Sequence, residues 1–122
     1  MADAAQERRA LTVLFCDAVG FTSLSESREL EDVDRLRSSF LTTCRAAVDR
    51  YGGHVHEILG DGVVAYFGYS VAREHDVYRA VLAGLSIVSS LQSEQGKGAE
   101  TIGARVGIDT GVVLLTRAGE GP

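Results

Sequence analysis

The chain alternates short apolar runs, of the length typical of β-strands, with two long segments whose apolar residues recur at helical spacing. Runs that alternate over four to eight residues favour strands, and a repeat of three to four residues favours amphipathic helices. The turn Gly60-Asp61-Gly62 joins two of the strand-like runs and predicts a hairpin. In order, the predicted elements are a strand at 11–16, a helix at 30–51, a strand pair at 54–59 and 63–67, a helix from about 74, and a strand pair at 101–109 and 112–116.

This order, β-α-β-β-α-β-β, is the split βαβ plan. We therefore predict an α+β fold of the ferredoxin-like palm type, with an antiparallel-rich sheet and the helices on one face. With 122 residues the chain has room for one domain, which we place at residues 11–122. Residues 1–10 are polar and charged, so we expect a flexible lead-in. The apolar first strand fits a central position, buried on both faces.

Composition narrows the classes of partner. The net charge of −5 offers no broad basic surface for nucleic acid or anionic lipid. The apolar runs are too short for a membrane span, and the polar first residues do not form a signal peptide, so we expect a cytoplasmic protein. The two cysteines, Cys16 and Cys44, lie in apolar segments and are predicted to be buried thiols in a reducing compartment.

Two aspartates stand where predicted strands end. Asp17 follows the first strand, and Asp61 lies between two glycines at the tip of the hairpin. In the split βαβ plan the first strand and this hairpin lie side by side, so their tips can converge at one edge of the sheet. Converging carboxylates repel each other unless a cation holds them, and Mg²⁺ favours carboxylates together with substrate phosphates. The pair therefore predicts a two-metal site for phosphoryl chemistry.

Each aspartate alone also fits a simpler explanation. Asp61 could be an ordinary Asp-Gly turn residue, and Asp17 could cap a helix or accept a phosphoryl group, as in a receiver domain. The hairpin at Asp61 does not match the parallel βα units of a receiver domain. The segment 18–22 contains Gly20 and leads towards the long helix, so its amides could face an anion, although an ordinary loop fits equally well.

Three segments of the chain resemble the catalytic domains of class III adenylate and guanylate cyclases. They are LTVLFCDAVGFTSLSE at 11–26, YGGHVHEILGDGVVAYFG at 51–68 and ARVGIDTGVV at 104–113. Their order and spacing match the family, and the resemblance extends from residue 11 to about residue 116. It implies attack of a ribose 3′-hydroxyl on the α-phosphate of a nucleoside triphosphate, giving a 3′,5′-cyclic nucleotide and pyrophosphate for cyclic-nucleotide signalling.

The resemblance also implies roles for individual residues. The family's catalytic, metal-binding aspartates fall on Asp17 and Asp61, with the carbonyl of Ala18 as a further metal contact, and the cofactors would be two Mg²⁺ or Mn²⁺ ions. Such cyclases act as dimers, so the expected partners are a nucleoside triphosphate (ATP or GTP) and a second copy or a cyclase-like chain. The residues that would contact the nucleotide are Ala18, Gly20, Phe21, Thr22, Glu57 and Arg105.

Glu57 is the first departure from the adenylate cyclase pattern, which carries a lysine at that position, whereas guanylate cyclases carry a glutamate. A carboxylate accepts from the N1–H and amino groups of guanine but cannot donate to adenine N1. Glu57 therefore favours GTP or marks a site without base recognition; a solvent-facing strand glutamate is the simpler alternative. Because Glu57 is about 13 Å from Asp61 along a regular strand, we expect it to serve the second site of a dimer.

Two further departures bear on activity. The family has a later segment with another base-selecting residue and an asparagine and arginine that stabilise the transition state, and the chain ends at Pro122 before such a segment. Asp109 replaces a frequent histidine. The alternatives are a working cyclase and a weak or inactive cyclase-like module that dimerises or binds nucleotide. A diguanylate cyclase is disfavoured because its Gly-Gly-Asp-Glu-Phe turn is missing.

Overall fold

A computed structural model describes residues 6–20, 29–69, 72–94 and 102–116 of the chain. Within them the fold is α+β, with two helices and a four-stranded antiparallel sheet of order β2-β3-β1-β4. The elements are β1 (Gln6–Val19), α1 (Leu30–Arg50), β2 (His54–Leu59), β3 (Gly62–Phe67), α2 (Asp76–Glu94) and β4 (Gly103–Thr116). The predicted split βαβ plan, with the first strand beside the hairpin, is confirmed.

Alternation along the strands divides the sheet into two faces. The even-numbered residues Thr12, Leu14 and Cys16 of β1 are buried towards the helices, whereas Phe15 and Asp17 are exposed on the other side. The core under the helices contains Leu14, Ala65 and Phe67 from the sheet, Phe40, Cys44 and Val48 from α1, and Ala80, Ala83 and Ile87 from α2.

We call the other side the open face. Directly paired residues of neighbouring strands project to the same side of a sheet, so the register identifies its members. In rows across the sheet these are His54, Tyr66, Val13 and Asp109, then Glu57, Val64, Phe15 and Gly107, then Leu59, Gly62, Asp17 and Arg105. The expectation that β1 is buried on both faces is therefore wrong, because both helices pack against the same side.

Two predicted boundaries are also wrong. β1 begins at Gln6, inside the expected lead-in, because its backbone pairs with β4 along its whole length from Gln6↔Thr116 to Val19↔Gly103. Arg9 further fixes this end of the strand, since its guanidinium donates to the backbone oxygen of Gly68 at 3.4 Å. For the same reason Thr110-Gly111 is not a turn: it continues the ladder opposite Leu11 and Thr12, and one strand, β4, replaces the predicted pair.

Among the described residues, no helix combines the length and the apolar character that crossing a membrane requires.

Candidate active site

The pairing of β1 with β3 brings the two predicted metal-binding aspartates to the same end of the sheet. Asp17 is the register partner of Gly62, and the backbone N–H of Ala18 donates to the backbone oxygen of Asp61 at 3.0 Å. Directly opposed residues in antiparallel strands have Cα atoms about 5 Å apart. The backbone thus places Asp61, in the turn between β2 and β3, diagonally one residue out of register with Asp17 on β1.

Gly62 provides the space that the Asp17 carboxylate occupies. A Cβ atom at position 62 would lie 2.6 Å from Oδ1 of Asp17 and 3.0 Å from the backbone oxygen of Cys16. Real Cβ atoms essentially never approach an oxygen as closely as the first of these distances. The absence of a side chain at 62 therefore leaves room for the Asp17 carboxylate over β3.

The tip of the hairpin is supported by α1. Gly60 has a φ of +56°, the left-handed region that favours glycine, and Nε of Arg37 donates to its backbone oxygen at 2.7 Å. Arg37 is a positioning residue that sequence reasoning missed. No local sequence pattern marks it, because the contact spans 23 residues and cannot be read from spacing.

Arg105 lies on the other side of Asp17. It is the register partner of Asp17 on β4, so its exposed side chain projects from the open face in the same row as the carboxylate. A cation and a carboxylate in one row create a place where a phosphate oxygen could contact both the guanidinium and a metal ion held by the carboxylate.

Glu57 is on the open face but is not adjacent to the aspartates. It pairs with Val64, after a bulge between Val55 and Glu57, and is exposed. From strand spacing and rise, its Cα is about 12 Å from that of Asp17, across one strand and one row. The structure therefore keeps Glu57 apart from the end of the sheet that carries Asp17 and Asp61.

The structure describes the segment that follows β1 only as far as Gly20. Ala18 is half-buried against the core, and Gly20 has a φ of +88° with open space where a Cβ would be, so its backbone conformation alone favours glycine. Phe21 and Thr22 lie outside the described residues.

The donor set fits a divalent cation bound together with substrate. Among the residues that the structure describes, no group of three or more His, Cys, Asp or Glu side chains is placed to hold an ion. Two carboxylates are nevertheless sufficient for Mg²⁺, which keeps several waters and binds through one or two carboxylates plus substrate phosphates. The space over Gly62, which a Cβ would fill, agrees with this use of Asp17.

A pair of thiols lies directly behind the site. Sγ of Cys16 is 3.7 Å from Sγ of Cys44, and both residues are buried and free. This hydrogen bond lowers the pKa of Cys16, and the same bond together with burial raises the pKa of Cys44 far above its usual value. The predicted burial of both thiols is confirmed, and they join β1 to α1 one residue before Asp17.

A split βαβ sheet with two aspartates at one end defines an α+β domain of the palm type. Comparisons with known proteins identify the family to which this domain belongs. The model of the adenylate and guanylate cyclase catalytic domain matches residues 4–121. The chain is 30% identical to an adenylate cyclase of Anabaena cylindrica over 94% of its own length and 24% of the relative's. It is 29% identical to a cytidylate cyclase of Escherichia coli over 83% of its length and 24% of that protein.

Comparison with solved structures supports the same family. The chain superposes on the adenylyl cyclase CyaB of P. aeruginosa with a TM-score of 0.80 and 30% identity, covering 90% of this chain and 60% of that one. This chain belongs to the family of adenylate and guanylate cyclase catalytic domains. It spans about a quarter of the length of the two named relatives.

Proposed function

We propose that this chain forms the metal- and triphosphate-binding part of a nucleotidyl cyclase, which converts a nucleoside triphosphate into a 3′,5′-cyclic nucleotide and pyrophosphate. Family membership supports this reaction class. The observation that supports it is the backbone pairing of Asp17 with Gly62 and of Ala18 with Asp61, which brings the two aspartates to one end of the sheet.

Asp17 and Asp61 would hold the divalent cations, Mg²⁺ or Mn²⁺, with the carbonyl of Ala18 as a further ligand. When bound, such ions lower the pKa of the attacking 3′-hydroxyl and neutralise charge on the leaving pyrophosphate. Arg105, in the same row as Asp17, would bind a phosphate oxygen of the substrate. Gly20, Phe21 and Thr22, which follow β1 in the sequence, would contact the triphosphate.

We further propose that the open face receives a second copy or a cyclase-like partner. Apolar side chains there remain accessible: Phe15 is 51% exposed, Leu59 50% and Val19 41%. Exposed apolar surface of this kind is typical of protein–protein contacts. A partner across this face would also place a base-recognising residue near the triphosphate, because Glu57 of the same chain is too far from Asp17 to do so.

The carboxylate of Glu57 favours recognition of guanine, the purine base that carries hydrogen-bond donors along its Watson–Crick edge. Its carboxylate accepts hydrogen bonds but cannot donate them. The relatives named above are an adenylate cyclase and a cytidylate cyclase, so the family accommodates different bases and GTP needs direct comparison with ATP and CTP.

The experiment is a product assay of the full chain with Mn²⁺ and each of these triphosphates. We expect cyclic product, greatest with GTP, that is lost in Asp17→Ala and Asp61→Ala. Asp49→Ala, which removes an exposed carboxylate from the C-terminal turn of α1, is the matched control and should keep wild-type activity.

Binding must be measured separately from turnover. Mn²⁺-dependent nucleotide binding that needs both aspartates but gives no product would identify the chain as a nucleotide-binding regulatory module. Product that persists in Asp17→Ala, or binding that ignores both aspartates, would contradict the proposed site.

A further inference from the structure

A cavity of about 140 Å³ lies at the opposite end of the hairpin from Asp61. We call it the arginine pocket; its walls include Gly52, His54, Tyr66, Tyr69 and Arg73. Because β3 runs from Gly62 to Phe67 between the two ends, roughly 17 Å of strand separates this pocket from the aspartates. The pocket is therefore distinct from the candidate active site.

Two guanidinium groups converge on Gly52. A Cβ atom at this position would lie 3.6 Å from Nη1 of Arg73 and 3.9 Å from Nε of Arg79. Gly52 also has a φ of +80°, so the turn after α1 requires glycine and leaves the space beside both arginines free of a side chain. This arrangement presents positive charge to a small volume.

The carboxylate in the pocket wall does not cancel this charge. Asp76 accepts from the backbone N–H of Arg73 at 2.8 Å and pairs with Nη2 of Arg79, so both of its oxygens are engaged. Arg73 and Asp76 line the pocket and Arg79 lies behind Gly52, so these three side chains together carry one net positive charge. A small anion would compensate that excess.

Arg79 also has an unused donor. Its Nε is buried and has no hydrogen-bond partner among the described residues. Leaving a buried N–H without an acceptor costs free energy, and more when the group is charged. An oxyanion in the pocket would accept from the guanidinium of Arg73, and its charge would offset that of Arg79 behind Gly52, although the buried Nε is shielded from direct contact.

Aromatic rings bound the remaining side of the pocket. The rings of His54 and Tyr69 stack with centroids 4.6 Å apart, and Tyr66 lies 5.6 Å from Tyr69. The two phenols can donate hydrogen bonds to an anion. An engineered cavity of about 150 Å³ in another protein holds benzene, so a cavity of this size suits about five or six heavy atoms.

From these observations we propose that the arginine pocket binds a phosphate group, as the free ion or as a monoester. Guanidinium groups recognise tetrahedral phosphate oxygens through paired, charge-assisted hydrogen bonds. The volume admits the phosphate itself, and the exposed edge at Tyr69 and Arg73 lets an organic substituent extend into solvent.

The test is a ¹H–¹⁵N NMR titration of the full chain with inorganic phosphate, against sodium chloride at matched ionic strength. We expect saturable shifts at the amides of Gly52, His54 and Tyr69 that chloride does not produce. A parallel titration with phenyl phosphate separates the two sources: tighter binding than inorganic phosphate indicates a monoester, and weaker binding indicates the free ion.

Variants connect the shifts to the arginines. Arg73→Gln is expected to weaken phosphate binding roughly tenfold, the loss of one charge-assisted contact. Arg45→Gln makes the same charge change on the exposed side of α1 and should leave the affinity unchanged. Asp17→Ala should also keep the shifts at Gly52, because it alters only the other end of the sheet.

Several outcomes would overturn the proposal. They are shifts no larger with phosphate than with chloride, shifts confined to Gly62 and Arg105 at the candidate active site, and equal affinity in wild type and Arg73→Gln. Since the first two are measured on wild-type protein, they do not depend on the folding of any variant.

Discussion

Gly62→Ala is the smallest change that should disable the candidate metal site. The new methyl group would lie 2.6 Å from Oδ1 of Asp17, whereas ordinary contacts of this kind begin near 3.4 Å. The carboxylate must therefore retreat by about 1 Å, and misplacement on that scale can cost on the order of 100-fold in activity. We expect Mn²⁺ affinity to fall at least tenfold and cyclase activity, where present, to fall further.

Gly107→Ala is the matched control. It adds the same methyl group to the same open face, one row away on β4, where a Cβ would meet nothing within 4 Å. Mn²⁺ binding would be measured by calorimetry on both variants and on wild type, with circular dichroism to verify that each is folded. Folded Gly62→Ala that binds Mn²⁺ as tightly as Gly107→Ala does would refute this steric explanation.

Three other predictions concern the scaffold. Phe67 is fully buried against Gly53, so Phe67→Ala should lower the free energy of unfolding in urea by about 3–5 kcal/mol, whereas Phe15→Ala on the open face should cost less than half as much. His75 has a φ of 114°, so His75→Gly should stabilise the fold by about 1 kcal/mol and raise Tm. Cys16 and Cys44 are buried, so a thiol reagent should modify neither until denaturant is added.

Each of these three predictions would be contradicted by a specific result. Equal losses for the two phenylalanine variants would contradict the division into a covered and an open face. A lower Tm for His75→Gly would mean that the histidine side chain contributes more than its backbone conformation costs. Rapid labelling of native protein would show that the thiol pair behind Asp17 is accessible.

Much of the fold can be predicted from the order of the segments that show strand-like or helix-like apolar periodicity. The helix predicted at 30–51 is α1, Leu30–Arg50, because its apolar stripe and the following Gly52-Gly53 are local signals. The hairpin around Asp61 could also be predicted from the local sequence, because an Asp-Gly turn flanked by apolar runs rarely forms any other structure.

The errors arose where long-range pairing decides the structure. Thr110-Gly111 has the composition of a turn, yet it is extended because β1 pairs with it along a continuous ladder. Gln6 to Arg9 lack a strand-like apolar pattern, and they become part of β1 only because the apolar end of β4 lies beside them. Local propensity cannot report a partner that is about a hundred residues away.

The candidate site likewise combines features that the sequence predicts with features that it does not. The approach of Asp17 to Asp61 was deducible from chain topology, because the first strand and the hairpin are neighbours in the split βαβ plan. The alignment of Arg105 with Asp17 depends on the β1–β4 register, and the room over Gly62 depends on side-chain geometry. Neither is visible in residue spacing.

The most direct measurement is a crystal structure of the chain with Mn²⁺ and a non-hydrolysable GTP analogue, recorded at the manganese absorption edge. We predict anomalous density in contact with carboxylate oxygens of both Asp17 and Asp61 and with the phosphates, beside Arg105. Manganese bound to neither aspartate, with the triphosphate elsewhere on the molecule, would contradict the two-aspartate metal site.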